Sequence, residues 1–264
     1  MEYKTSDQYE EEGLEHYRRD EFAQALHRFQ EGVTRFPGDR DLLLGAAMAH
    51  LNLGDFVEAA AILEDLRARF GSSGDVLQGL AEANLSLGRR DAAVAYVRQA
   101  LDGGAGSASL ANRLGRVVYK HGLLAEAARC HALAVRRGPL QAAAYVGLGV
   151  CNHRMGRVEQ AVRILQKALE LEPDNIEALS YLGNIHYDRK DSARALELWG
   201  RIPLGTLGDP ATLRRMRNLS RQAGQESASG AIESRLKEVL KSREPGVQDL
   251  LERLAPAGDA AGPR

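Results

Sequence analysis

The sequence predicts an all-α protein in which helix-turn-helix repeats stack into an α-solenoid. Two helical patterns separated by a glycine occupy the stretch from Gln141 to Pro173, and their characteristic residues recur every 34 residues. The composition is rich in Ala, Leu, Arg and Glu, which favour helix, and contains only five Phe and one Trp. Repetition at this period is typical of stacked helical repeats, in which each unit buries its apolar face against its neighbours.

The repeats keep one register without insertion from residue 6 to residue 209. We number each repeat from its first residue, so that the repeats begin at residues 6, 40, 74, 108, 142 and 176. Position 20 is alanine in every repeat, at Ala25, Ala59, Ala93, Ala127, Ala161 and Ala195. Position 8 is also small, at Gly13, Ala47, Ala81, Gly115, Gly149 and Gly183. Small residues at one place on both helices predict a close helix crossing within each repeat.

Larger residues and turn residues follow the same register. Bulky apolar side chains stand at position 24, at Phe29, Leu63, Val97, Leu165 and Trp199. In repeat four, Ala111 and His131 stand where bulky residues are expected, and Gly103, Gly104 and Gly106 loosen its entry. We therefore expect the junction between repeats three and four to be the softest. Glycine at position 15 predicts a left-handed residue that ends the first helix, at Gly54, Gly88, Gly122 and Gly156. Proline at position 32 ends the second helix, at Pro37, Pro139 and Pro173.

One pattern combines an aromatic residue, a Leu-Gly pair, an alanine, a large apolar residue and a closing proline. It is carried by Tyr145, Leu148, Gly149, Ala161, Leu165 and Pro173. In these residues the chain resembles the tetratricopeptide repeat family. The resemblance implies a right-handed stack of helix pairs that serves as a scaffold, adaptor, co-chaperone or assembly factor.

The predicted domain organisation is six repeats at 6–209, a degenerate seventh repeat with a capping helix at 210–254, and a disordered tail at 255–264. Asp209 and Pro210 predict the N-cap and first turn of a helix. The apolar residues of the capping helix are Val247, Leu250, Leu251 and Leu254. The tail contains too little apolar surface to fold on its own.

Composition excludes several classes of function. The formal net charge of −1 argues against nucleic-acid binding. Cys130 and Cys151 suit a reducing compartment, where we expect free thiols. Without a signal sequence or a membrane-spanning stretch, we expect a cytoplasmic location and no membrane insertion. His16, His50 and His186 at position 11 are interpreted as packed rings in the core or at the edge of the first helices, and no metal site, cofactor or catalytic set is predicted.

The resemblance implies that positions 2, 5, 6, 9, 12 and 13 of the first helices line a groove. In the first three repeats its charged residues are mainly acidic, namely Asp7, Glu10, Glu11, Asp41, Asp75 and Glu82. In later repeats the predicted partner-binding residues are Asn112, Arg113, Arg116, Tyr119, Lys120, His153, Arg154, Tyr181, Asn184 and Tyr187. Arg113, Arg116 and Arg154 are expected to converge on a carboxylate, while the tyrosines add flat contact surface.

We therefore expect a non-enzymatic scaffold or adaptor that binds an extended or helical segment of a protein or peptide with acidic groups. The family's two-carboxylate clamp is not matched, because Gly147 and Glu177 occupy two of its positions. The alternative is a self-assembling structural element, or an assembly factor for a surface machine such as a pilus or secretion apparatus. This alternative rests on a difference between the two ends, since repeat one carries Glu12 and Glu15 where core is expected, whereas the last helix is amphipathic. The sequence leaves the oligomeric state open.

Overall fold

The computed structural model describes residues 4–102, 107–138 and 140–243, which form fourteen α-helices and one 3₁₀ turn at Leu204–Thr206. The helices are α1 Ser6–Arg18, α2 Phe22–Arg35, α3 Arg40–Leu53, α4 Phe56–Phe70, α5 Gly74–Ser86, α6 Arg90–Asp102, α7 Ala108–Lys120, α8 Leu124–Arg137, α9 Ala142–Arg154, α10 Val158–Leu171, α11 Ile176–Asp188, α12 Ser192–Gly200, α13 Pro210–Gln222 and α14 Glu226–Arg243. The prediction of an all-α fold is confirmed. Gly103, Gly104, Gly106, Pro139, the capping segment after residue 243 and the predicted tail lie outside the described residues.

The chain divides into two compact units, Met1–Ile164 (unit 1) and Leu165–Arg264 (unit 2). In unit 1, consecutive helices pack on each other from α1 to α6 and from α7 to α9, for example α1 on α2 and α7 on α8. The first helices of successive repeats, α1, α3, α5, α7 and α9, also pack side by side and form one layer. In unit 2, α11 packs on α12 and α13 on α14, while α13 also contacts α11 and α12.

Polar side chains at the end of each repeat determine where the next first helix begins. The side chains that accept hydrogen bonds from backbone N–H groups of the first turn are Thr5 on α1, Asp39 on α3, Ser73 on α5, Ser107 on α7, Asn175 on α11 and Asp209 on α13. These caps satisfy donors that a helix start leaves unpaired. Helix α9 is different, because the Gln141 side chain makes no capping bond.

A left-handed residue ends the first helix of each repeat, as the glycine pattern predicts. Gly54, Gly88, Gly122 and Gly156 have φ angles of 89°, 76°, 78° and 77°. In repeats one and six the same position holds Asp20 and Lys190, with φ angles of 59° and 65°. A side chain in this region carries a steric cost that glycine avoids.

The side chain at position 24 fills a socket formed by small residues on the first helices. The Phe29 ring lies against Gly13 and Gly45, where an added Cβ would stand 2.5 Å from Phe29 Cε1. In unit 2 the Trp199 indole occupies the same kind of socket beside Gly183. The position 20 alanines are fully buried, which agrees with a close helix crossing in each repeat.

Repeat four uses a histidine for this purpose. The His131 imidazole is only 2% exposed and lies against Gly115 and Gly147, where an added Cβ would stand 2.7 Å and 2.4 Å from His131 Cε1. The ring therefore supplies the bulk that the sequence pattern predicts to be missing at this position. Gly147 is at a position expected to face the groove, yet it also forms the socket wall.

Candidate partner-binding surface

The residues expected to line the groove share one face of the first helices, which we call the groove face. In unit 1 three contacts connect neighbouring helices across it. The Asn52 amide of α3 donates a 2.6 Å hydrogen bond to the Tyr17 hydroxyl of α1. Arg113 of α7 donates to Gln78 of α5, and Arg154 of α9 lies over the Tyr119 ring of α7. These contacts connect α1 with α3, α5 with α7, and α7 with α9 on the groove face.

Arg113 is held by the preceding repeat. Its guanidinium donates to the Asp75 carboxylate at 2.5 Å and to the Gln78 side-chain oxygen at 2.7 Å. The side chain remains 43% exposed, so solvent reaches the ion pair. Arg113 therefore neutralises an acid of this chain, and a partner carboxylate would have to compete with Asp75 for it.

Asn112 is also engaged within the protein. Its side-chain oxygen lies 2.8 Å from His131 Nδ1. Burial, assisted by the positive charge of Arg116, lowers the pKa of His131 to about 4. The imidazole is thus neutral at pH 7 and donates its Nδ1 proton to Asn112, which fixes the ring in its socket.

The other cationic residues of α7 and α9, together with one tyrosine, form a basic cluster, which we define as Arg116, Tyr119, Lys120 and Arg154. Tyr119 and Lys120 lie three and four residues after Arg116, so each is a neighbour of Arg116 on the helix surface. Arg116 and Lys120 are exposed and form no ion pair or hydrogen bond with other described residues. The Arg154 Cζ atom lies 5.3 Å from the Tyr119 ring centroid, which is within cation–π range. His153 is half-buried beside Arg154 on α9.

Unit 2 carries its own group of predicted residues. Asn184 of α11 donates a 3.0 Å hydrogen bond to the Thr212 hydroxyl and accepts a 2.8 Å bond from Arg215 of α13. The Arg215 guanidinium also lies 4.9 Å from the Tyr187 ring centroid and 3.2 Å from the Asp188 carboxylate. Tyr181 is half-buried on the same helix as Asn184.

Arg215 was left out of the predicted binding residues, although it organises Asn184 and Tyr187. The available signal was its register, because Arg215 stands at groove position 6 of the degenerate seventh repeat. Asp75 was predicted as an acidic groove residue, but its pairing with Arg113 was missed. Such pairings depend on the stacking of neighbouring repeats, which the sequence pattern does not specify side chain by side chain.

The three histidines at position 11 have a structural role that the packed-ring interpretation missed. Each ring places Nδ1 beside the carboxylate that precedes the second helix of its own repeat. The pairs are His16 with Glu21 at 2.6 Å, His50 with Asp55 at 3.0 Å and His186 with Asp191 at 3.0 Å. The backbone hydrogen bond from Arg194, together with the hydrogen bond from His186, lowers the pKa of Asp191. These contacts connect the end of one helix to the start of the next.

The two cysteines are buried free thiols, as expected. Burial raises the pKa of Cys130 to about 12 and that of Cys151 to about 11, so neither forms a thiolate nucleophile near neutral pH. In the described part of the chain, no group of three His, Cys, Asp or Glu side chains is arranged to hold a metal ion. No described helix is both long enough and apolar enough to cross a membrane.

Comparison with known proteins gives consistent matches to helical repeats. A family model described as tetratricopeptide repeat matches residues 11–75, 46–108 and 79–130, and one described as TPR repeat matches residues 152–189. The Arabidopsis thaliana protein CTR9 homolog is 31% identical over 77 residues, which are 29% of this chain and 7% of that relative. The chain therefore spans only a small part of that protein.

Two solved structures illustrate the likeness in fold. The structure of pilF from Pseudomonas aeruginosa is 19% identical, with a TM-score of 0.62, over 83% of this chain and 97% of that chain. A structure of MamA from Desulfovibrio magneticus RS-1 is 19% identical, with a TM-score of 0.51, over 65% of this chain and 97% of that chain. At these identities the likeness concerns the fold alone.

Proposed function

The chain belongs to the tetratricopeptide repeat family, and on that premise we propose that it is a non-enzymatic scaffold that holds a segment of a partner protein on its groove face. The segment is extended or helical, and its acidic groups bind the cationic residues of α7 and α9. The family's fold is typical of protein-interaction scaffolds, which supports the general class. The partner and its acidic character belong to our proposal.

The observation that carries the proposal is the basic cluster. Arg116 and Lys120 present exposed positive charge and form no ion pair with other described residues. Arg154 and Tyr119 add a stacked cation and ring on the adjacent helix. Arginine and tyrosine are enriched where interfaces bind most strongly, because both offer large contact area and directional polar groups. Arg113 supports the cluster from the side by neutralising Asp75.

The test is charge reversal with a fluorescent Glu-rich peptide as the probe. The double variant Arg116→Glu and Arg154→Glu should weaken binding by more than tenfold, which is about 1.4 kcal/mol or more. Arg129→Glu is the matched control, because Arg129 is an exposed arginine on the second helix α8. Equal binding by the parent and the double variant would exclude the basic cluster as the site. A co-purified native partner should show the same ranking of variants.

Self-assembly, in a structural element or as an assembly factor for a surface machine, is the second candidate function. The difference between the described ends favours it. In α1, Glu12 pairs with Lys4 at 2.6 Å, whereas α14 leaves Leu240 40% exposed. Light scattering over a hundredfold concentration range separates the candidates, since a strict monomer would exclude homopolymer formation.

A further inference from the structure

The groove face of unit 1 changes the sign of its charge along the stack. On α1 and α3 its charged residues are mostly acidic, and we define the acidic cluster as Asp7, Glu10, Glu11 and Asp41. On α7 and α9 the face carries the basic cluster. Both clusters lie within the same compact unit, on helices of one packed layer.

The acids of α1 differ according to the face they occupy. Away from the groove face, Glu12 pairs with Lys4 and lies 3.8 Å from Arg28, and Glu15 pairs with Arg19. On the groove face, Glu10 and Glu11 form no ion pair within the described residues. Within α1, the acids away from the groove face are therefore neutralised, whereas Glu10 and Glu11 are not.

Negative charge from two helices converges on Glu10. The pKa of Glu10 is raised, first by partial burial and then by the charges of Asp41, Asp39 and Asp7. A cation placed at this point would relieve repulsion among carboxylates that the fold already holds together. Arg40 forms an ion pair with only one of these carboxylates, that of Asp41, at 2.9 Å.

Apolar side chains accompany the acidic cluster on the groove face. Leu14 of α1, together with Leu44 and Met48 of α3, stands at groove positions and is half-buried. The buried part of each side chain packs on the core of unit 1, and the solvent-exposed part is available to a partner. The basic cluster presents Tyr119 and three cations instead. The two parts of the face therefore favour different side chains.

An internal ion pair marks the boundary between the two parts. Asp75 of α5 and Arg113 of α7 pair with each other and so cancel where the sign changes. Packed helices lie about 9 Å apart, so α3 and α7 are separated by about 18 Å. This exceeds the Debye length of about 8 Å at physiological salt. Each cluster therefore attracts its own counter-charges.

We propose that the groove face of unit 1 binds one protein segment that is basic and apolar at one end and acidic at the other. The basic end lies on α1 and α3, and the acidic end lies on α7 and α9. This inference rests on the proposed function and specifies the chemistry of its partner. A uniformly acidic segment would be repelled by the acidic cluster, whereas a uniformly basic one would be repelled by the basic cluster. Charge order thus determines the direction in which the segment lies.

Synthetic peptides test the proposal with the full chain. Four steps of about 9 Å separate α1 from α9, and an extended peptide needs about 11 residues to cover that distance. Three fluorescent peptides of about 14 residues suffice: one with a Lys/Leu half and a Glu half, one entirely Glu-rich, and one entirely Lys/Leu-rich. By anisotropy at low salt, the bipolar peptide should bind about tenfold more tightly than either uniform peptide.

Variants separate this inference from the proposed function. Glu10→Lys with Glu11→Lys should weaken binding of the bipolar peptide about tenfold and strengthen binding of the Glu-rich peptide. Glu58→Lys is the control, because Glu58 is an exposed acid on the second helix α4. Circular dichroism checks that each variant is folded.

Each outcome decides a different point. If the acidic-cluster variant binds the bipolar peptide like the parent while Arg116→Glu with Arg154→Glu weakens Glu-rich binding, the bipolar partner is excluded and the proposed function stands. If neither variant changes peptide binding, both the bipolar partner and the proposed function are excluded. If none of the peptides binds but light scattering shows association that both variants abolish, the occupant is a second copy of this chain, and a separate partner is excluded.

Discussion

The buried imidazole of His131 predicts that acid destabilises this protein through one identifiable residue. The ring is 2% exposed, and its pKa is about 4 in the folded chain against the ordinary value of 6.5. At pH values between these two, the His131 ring is protonated in the unfolded chain and neutral in the folded chain. The contribution of the neutral ring to the free energy of unfolding is therefore fully present above pH 6.5 and is lost as the pH decreases towards 4.

The size of the effect follows from the shift. A group with these two pKa values costs the folded state about 2 kcal/mol at pH 5 relative to pH 7.5. The cost approaches about 3 kcal/mol near pH 4, where folded His131 begins to accept a proton. Other groups titrate in this range, so the prediction concerns the difference between the parent and a variant without the ring.

His131→Leu is the informative variant, because Leu63 and Leu165 occupy the same repeat position elsewhere. Urea unfolding at pH 7.5 and pH 5 should show that the parent loses about 2 kcal/mol more than this variant. His27→Leu is the control, since His27 is an exposed histidine on α2. An NMR titration of the His131 ring should give a pKa near 4. Equal pH dependence in parent and His131→Leu would refute the reasoning.

Three further predictions concern packing and backbone. Ala161→Leu should lower the free energy of unfolding by about 1 to 3 kcal/mol, since Ala161 is fully buried, and unchanged thermal unfolding would contradict the assigned register. Gly147→Ala should cost a similar 1 to 3 kcal/mol, roughly, because the new Cβ would stand 2.4 Å from His131 Cε1. Urea midpoints measure it, and parent-like stability would show that the ring can move aside. Lys190→Gly should stabilise by about 0.5 to 1 kcal/mol by relieving the φ of 65°, and a lower melting temperature would argue against strain there.

Repeat phase could be inferred from the sequence because it is a local property of the chain. The small residues at positions 8 and 20 and the glycine at position 15 satisfy needs that recur in every repeat. Gly54 and Gly156, for example, adopt the left-handed conformation that their spacing predicts. The family and the fold follow from such recurrence, since helix crossing and chain reversal impose the same residue types wherever they occur.

The candidate site was only partly predictable. The register predicted Arg116 and Lys120 at groove positions, and both side chains are exposed. It could not show that Asn112 would be engaged by His131, nor that Arg113 would be held by Asp75. Whether a long side chain binds within the protein or remains available depends on partners brought close by stacking.

The sequence by itself therefore determined the repeat period, the helix boundaries that depend on caps and glycines, and the sign of charge at each groove position. Only the tertiary structure decided which charges are cancelled inside the chain, as at Asp75 and Arg113, and which are left, as at Glu10 and Arg116. The physical reason is the separation along the chain of the residues that interact. Turns and caps depend on residues a few positions apart, whereas an ion pair between repeats depends on side chains that packing brings together across more than thirty residues of chain.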